Sequence, residues 1–154
     1  MSEKITEEVI LESKVNQRPF LADIRYKQDN TQKPVIVFVH GFKGFKDWGH
    51  FNLLADKFAE QGLLFIIGHS RGGGISIVKA SEDDRIKGIA TWAALNNFKM
   101  GTTPDSIDIW RKQGVIYAEN TRTNQKIPMN FQLYEDYTRN LERFNPLKAM
   151  SKMK

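Results

Sequence analysis

The chain has 154 residues, 40% hydrophobic and 27% charged, the balance of an ordinary globular domain, and no apolar run approaches the roughly 20 residues that span a bilayer. Its 23 basic and 18 acidic residues give a net charge of +5, but the charges are dispersed and the densest basic stretch, Lys148 to Lys154, offers no aromatic ring for base stacking, so neither nucleic acid nor a membrane is an expected partner. The absence of cysteine excludes disulfides, thiolate nucleophiles and cysteine metal sites, and the polar start Met1 to Glu8 has no apolar leader, which makes the expected location cytoplasmic.

In chain order, Glu7 to Ser13 and Phe20 to Lys27 alternate as strands around the turn residues Asn16 to Pro19, predicting an N-terminal antiparallel hairpin. Val35 to Val39 is a continuous β-branched and aromatic run, as expected of a central parallel strand covered on both faces. Phe51, Leu54, Ala55 and Phe58 then fall at helical spacing, with Asp47 as the expected N-cap and Gly62 after the last turn. Leu63 to Ile67 reads as a strand, the glycine-rich segment after it as the start of a helix, and Ile86 to Ala94 as another strand. This alternation predicts an α/β fold with a reduced, mostly parallel sheet.

Beyond Asn96 the rhythm stops. Pro104 to Gln113 is predicted helical, with proline in its first turn and Gly114 after its end. Val115 to Glu119 and Met129 to Tyr134 read as strands joined by Asn120 to Gln125, and Glu135 to Arg143 as a last helix, with Asn145-Pro146 interrupting its continuation. No repeat, low-complexity segment or linker divides the chain, so residues 1–154 are expected to form a single domain.

The segment Gly68-His69-Ser70-Arg71-Gly72 lies between a predicted strand and a predicted helix, the setting of a nucleophile elbow, where a sharp turn exposes a serine at the top of a sheet. Such a hydroxyl needs a base to take its proton and donors aimed at the developing oxyanion. The backbone N–H of Arg71 is one candidate donor. The second is the N–H of Phe42, in the turn His40-Gly41-Phe42 that follows the Val35 to Val39 strand. The three histidines, His40, His50 and His69, all precede Ser70 and lack metal-ligand spacing. Gly68 to Gly74 offers neither a Walker lysine nor a GxGxxG spacing, which leaves phosphate cradling a weak alternative. No metal or cofactor is expected. Trp48, Trp92 and Trp110 read as packing residues, with Trp92 near the site.

Taken together, His40-Gly41-Phe42 after a strand, Trp48 at the start of the next helix and Gly68 to Gly73 resemble the α/β-hydrolase fold, and within it the dienelactone-hydrolase-like and serine-aminopeptidase-like acyl hydrolases. Asn120 to Met129 and Tyr134 to Asp136 resemble the small cap of these proteins, so the resemblance divides the domain into a core, 1–101, and a cap-like part, 102–154. It implies acyl transfer from an ester, thioester or amide substrate to Ser70 as nucleophile and then to water. Phe42 and Arg71 would be the backbone oxyanion donors, and His40, Gly41, Gly68, His69 and Gly72 would shape the site.

Two departures from the family pattern bear on activity. The family places a helix, a strand and a second helix between the His-Gly turn and the serine strand, where this chain has one helix; and the family's triad acid and histidine have no positional equivalent before Lys154. The expected object is therefore an incomplete α/β-hydrolase with impaired turnover. The competing expectation is a non-catalytic remnant that binds an acyl ligand or a partner protein, self-associating through an exposed sheet edge. The shortened connection has a topological consequence as well. It forces either a left-handed crossover or a move of the first helix to the other sheet face, and the move, or poor folding, is the expected outcome.

Overall fold

The first two strands of the computed structural model, which describes residues 4–14, 17–27, 31–32, 35, 37–47, 49–61, 66–86, 88–121 and 123–153, form the expected hairpin. β1 (Lys4–Glu12) pairs antiparallel with β2 (Pro19–Lys27), from Lys4 opposite Lys27 to Glu12 opposite Pro19. β1 starts three residues before the predicted Glu7 because β2 continues to offer partners there. Polar contacts anchor the hairpin to the following helix. Arg25 donates to Asp56 at 3.0 Å and to the Asn52 carbonyl at 3.2 Å, while the Lys46 ammonium gathers Glu8, Asp23 and Asp47 within 3.1 Å.

The central layer comprises β3 (Val37–Val39), α1 (Phe51–Gln61), β4 (Ile66–His69), α2 (Arg71–Ala80) and β5 (Ile89–Trp92). The three strands are parallel in the order β3-β4-β5, with Val39, Gly68 and Thr91 in register. Side chains alternate across a pleated strand, so this register assigns the faces. Gly68 faces α2, since a Cβ there would lie 2.4 Å from the Gly73 Cα. Phe38, one residue out of step, faces the other way and stacks on Phe51 of α1 at 4.0 Å.

The two helices thus cover opposite faces, although both connections step across the sheet in the same direction. Crossovers of one hand would have put them on the same face, so one of the two is of the uncommon left hand. The expected move of α1 to the face of α2 does not occur. The joining residues 62–65, including the start of the predicted Leu63 strand, lie outside the described residues.

α2 carries the core: Ile77 and Val78 pack with Phe98 and Ala149, and Ile89, Ala94, Tyr137, Phe144 and Met153 lie against them. A second centre forms where α3 (Pro104–Gln113) meets the hairpin of β6 (Val115–Asn120) and β7 (Gln125–Asn130) and helix α4 (Gln132–Arg139). Trp110 there is fully buried, donates Nε1–H to the Met129 carbonyl at 2.9 Å and meets Phe131 edge-on at 5.7 Å. α3 has the bounds its sequence predicts, with Gly114 after its end at φ 72°, and its start is closed by a Thr103–Ser106 capping box that the sequence reading did not use. The short α5 (Pro146–Met150) packs back on α2.

Several boundaries differ from the sequence expectation, each for a local reason. α1 begins at Phe51, not at an Asp47 cap, because the Asp47 carboxylate is taken by Lys46 and the Asn52 amide. β5 is shorter than Ile86 to Ala94, since Ile86 N–H closes a turn on Asp83 and Ala93 turns to φ 50°. β7 is Gln125–Asn130 instead of Met129 to Tyr134; Phe131 N–H bonds to the Gly114 carbonyl and closes the hairpin register there. α4 consequently starts early and stops at Arg139, where the Asn140 amide donates to the Asp136 carbonyl. Among the described residues no helix is long and apolar enough to cross a membrane.

Candidate active site

Ser70 occupies the sharp turn between β4 and α2, with φ 55° and ψ −119°. A side chain at positive φ stores strain on the order of 1–3 kcal/mol and persists only where its surroundings hold it. Those surroundings are visible. Ser70 N–H donates to the Trp92 carbonyl at 2.9 Å, and the Ser70 carbonyl accepts from Gly74 and Leu95 N–H, both at 3.2 Å. The flanking glycines are steric requirements of the same turn: besides the Gly68 contact already described, a Cβ at Gly72 would stand 2.2 Å from the Val39 carbonyl oxygen.

The loop that leaves β3 closes against this turn. A Cβ on Gly41 would lie 3.1 Å from the Ser70 Cβ and 3.0 Å from His69 Nδ1, so loop and elbow pack closely and a side chain there would have to push its neighbours aside. Gly44 N–H donates to the Gly41 carbonyl at 3.0 Å, and His40 Nδ1 lies 2.9 Å from that oxygen, a bond made when this nitrogen carries the proton. Lys43, at φ 65°, donates its ammonium to the Glu119 carbonyl on β6 and ties the loop to the second hairpin. Lys46 fixes the loop's other end, and the carboxylates of Asp47, Glu8 and Asp23 hold its pKa well above the ordinary value. Neither Phe42 nor Arg71 donates its N–H to any described backbone partner.

The predicted site residues Ser70, Gly41, Phe42 and Arg71 are thus brought together. The other histidines are placed differently. His69 leaves the strand on the α1 face, between the rings of Phe51 and Trp92 at 6.4 and 6.2 Å. His50 is exposed just ahead of α1, its carbonyl accepting from Leu54. Among the described residues the Ser70 hydroxyl has no hydrogen-bond partner. Trp48, expected at the start of the helix, lies outside the described residues, whereas Trp92 is 68% exposed at the end of β5.

Sequence reasoning used only the backbone of Arg71 and passed over its side chain. The guanidinium lies 5.7 Å from the centre of the Phe42 ring and 5.7 Å from that of Phe98. Its Nε is buried without a partner. Burial draws its pKa below the usual guanidinium value, partly offset by Tyr137. Phe98 is held in turn by α2, where a Cβ on Gly74 would reach within 2.8 Å of the ring. An apolar cleft of about 470 Å³ opens on the α2 face between Ile77, Ile89, Leu95, Leu147 and Met150, but Ser70 does not line it. It is a gap in the packing between α2, β5 and α5.

No protein-family model matches the chain, and no curated protein does. The fold is similar to known crystal structures. One is the esterase domain of a Rhodothermus marinus protein, with a TM-score of 0.57 and 16% identity over 94% of this chain and 71% of that one. Another is a hypothetical protein of Pseudomonas aeruginosa, with a TM-score of 0.51 and 12% identity over 96% of this chain and 71% of that one. Identities this low establish the fold alone: mixed α/β, with one small parallel sheet.

Proposed function

We propose that the chain is a serine-nucleophile acyl hydrolase of the dienelactone-hydrolase-like or serine-aminopeptidase-like type, acting on an ester, thioester or amide. The observation that carries this reading is the backbone of Ser70, φ 55° and ψ −119°, at a strand-to-helix turn with the Gly41 loop packed against it. The esterase-domain neighbour supports it at the level of fold. In the reaction, the Ser70 oxygen bonds to the acyl carbon, the carbonyl electrons move onto the oxygen facing the Phe42 and Arg71 N–H groups, and the hydroxyl proton passes to water. Collapse of that intermediate breaks the bond to the leaving group, which recovers a proton from water; a second water then adds to the acyl carbon, and the bond to Ser70 Oγ breaks to give the acid and the restored hydroxyl. Loss of a single oxyanion donor costs about 3–4 kcal/mol in a serine protease, so these two amides matter as much as the hydroxyl.

With no described base bonded to Ser70, acylation relies on the amides and on binding, which leave roughly 10³- to 10⁴-fold over water in a protease stripped of triad members. Turnover is accordingly slow. Residues 102–154 act as the cap, joined to the oxyanion loop by the Lys43 bond to Glu119. A fluorophosphonate probe tests the reading. One adduct per chain, mapped to Ser70 and lost in Ser70→Ala, is expected. A folded protein with an inert Ser70 would instead favour the alternative of a non-catalytic α/β-hydrolase remnant, for which the edge of β3 that no described strand pairs with, and the exposed Val37 on that strand, supply a binding surface.

A further inference from the structure

The bond from Gly44 N–H to the Gly41 carbonyl closes a four-residue turn whose central positions are Phe42 and Lys43. In a trans peptide the C=O and N–H point opposite ways, so with the Gly41 carbonyl turned inward the Phe42 N–H is directed out of the turn. Lys43 takes the second central position at φ 65°, where glycine is the residue that fits without strain. Its ammonium offsets that strain by donating to the Glu119 carbonyl of β6, 76 positions along the chain. The same ammonium lies 6.0 Å from the centre of the Phe42 ring. β6 is a firm anchor, because its partner strand β7 carries the Met129 carbonyl that the buried Trp110 holds. A bond from a charged donor is stronger than one between neutral groups, and this one acts on the residue next to the Phe42 amide.

We propose that Lys43 is a positioning residue for acyl transfer: the bond from its ammonium to the Glu119 carbonyl fixes the Gly41–Gly44 turn, so that the β6–β7 hairpin sets where the Phe42 amide stands. The inference rests on the reading of Ser70 as the acyl acceptor and Phe42 as an oxyanion donor, and the experiment separates the two. In Lys43→Met the strained turn loses its tether; in Lys43→Gly the tether is lost and the strain relieved; in Lys43→Arg a cationic donor remains. The kinetics of fluorophosphonate labelling at Ser70 give each variant a maximal rate and a half-saturating probe concentration. An amide that meets the oxygen only as the new bond forms moves the first and not the second. Lys43→Met and Lys43→Gly are expected to lower the maximal rate roughly 3- to 30-fold, less than the roughly 10²- to 10³-fold of deleting a donor outright. Half-saturation should be unchanged, and Lys43→Arg should restore most of the rate.

Labelling at the parent rate in Lys43→Met or Lys43→Gly, a change confined to half-saturation, or slowing that Lys43→Arg leaves uncorrected overturns the inference, while the acyl reading stands. Lys43 is exposed, and Lys43→Gly keeps the comparison open where Lys43→Met does not fold. NMR order parameters of residues 41–44 need no chemistry at Ser70 and should fall in Lys43→Met; unchanged order overturns the inference. An inert Ser70 in the parent removes the acyl reading, and the fall in order then decides whether Lys43 tethers the turn to the hairpin.

Discussion

Gly72→Ala is a substitution for which local preference and tertiary contact predict opposite signs. Alanine is favoured over glycine in a helix by up to about 1 kcal/mol, and α2 includes residue 72, so propensity alone predicts a gain. The added Cβ, however, would lie 2.2 Å from the Val39 oxygen and 2.4 Å from the His40 oxygen, where ordinary contacts begin at 3.4 Å. Both obstacles are backbone and cannot rotate away. Overpacking costs about 1–3 kcal/mol, and two backbone clashes place this case at the upper end, leaving a net loss of about 2 kcal/mol. For a chain of this size that lowers Tm by about 4–8 °C.

Thermal unfolding followed by circular dichroism reads this out, with Gly101→Ala as the control, since a Cβ there meets nothing within 4 Å. Relief of the clash moves the end of β3 and the Gly41 turn away from Ser70, so fluorophosphonate labelling slows in parallel. A Gly72→Ala protein as stable as the parent would refute the packing of α2 on β3, and with it the placement of the Gly41 loop against Ser70.

Other substitutions probe the rest of the structure. Trp110→Ala removes the largest fully buried side chain and should cost about 3–5 kcal/mol in denaturant unfolding; Trp110→Phe, which strands the Met129 carbonyl, should cost about 1–3 kcal/mol. Glu82 accepts from Arg143 at 2.6 and 3.0 Å and pairs with Lys79, and Arg143 foremost draws its pKa from 4.5 to about 2. A folded-state pKa below the unfolded one gives stability that is full above the unfolded value of 4.5 and fades as pH falls toward 2. The pair is largely exposed, so Glu82→Gln should destabilise by no more than about 1 kcal/mol near pH 7. Unfolding curves of parent and variant should converge near pH 2; an undiminished gap there would contradict the assignment.

The parts of the fold legible in the sequence are those set by local chemistry. α3 is the clearest, its proline and glycine marking both ends. The elbow was equally readable, because Gly68 and Gly72 mark where strand, turn and helix must touch. Boundaries that depend on distant partners were not. Asp47 looks like a helix cap until Lys46 claims it, and Met129 begins no strand because Gly114, fifteen positions earlier in the chain than Met129, fixes the register through Phe131. The opposite-face arrangement of α1 and α2 overrides a strong handedness rule and could only come from the assembled sheet. At the site, the motifs placed Gly41 and Ser70 in turns that the structure packs together. They did not place the Arg71 guanidinium, whose setting depends on Phe98 reaching α2 and on the absence of a carboxylate in space.

The acyl-acceptor role of Ser70 is tested most directly by a crystal structure of the protein after reaction with a small fluorophosphonate. Phosphorus should be bonded to Ser70 Oγ, with the phosphonyl oxygen about 2.7–3.1 Å from the backbone nitrogens of both Phe42 and Arg71. An adduct on another residue, no adduct in the folded protein, or an oxygen turned to solvent away from these two amides would contradict it.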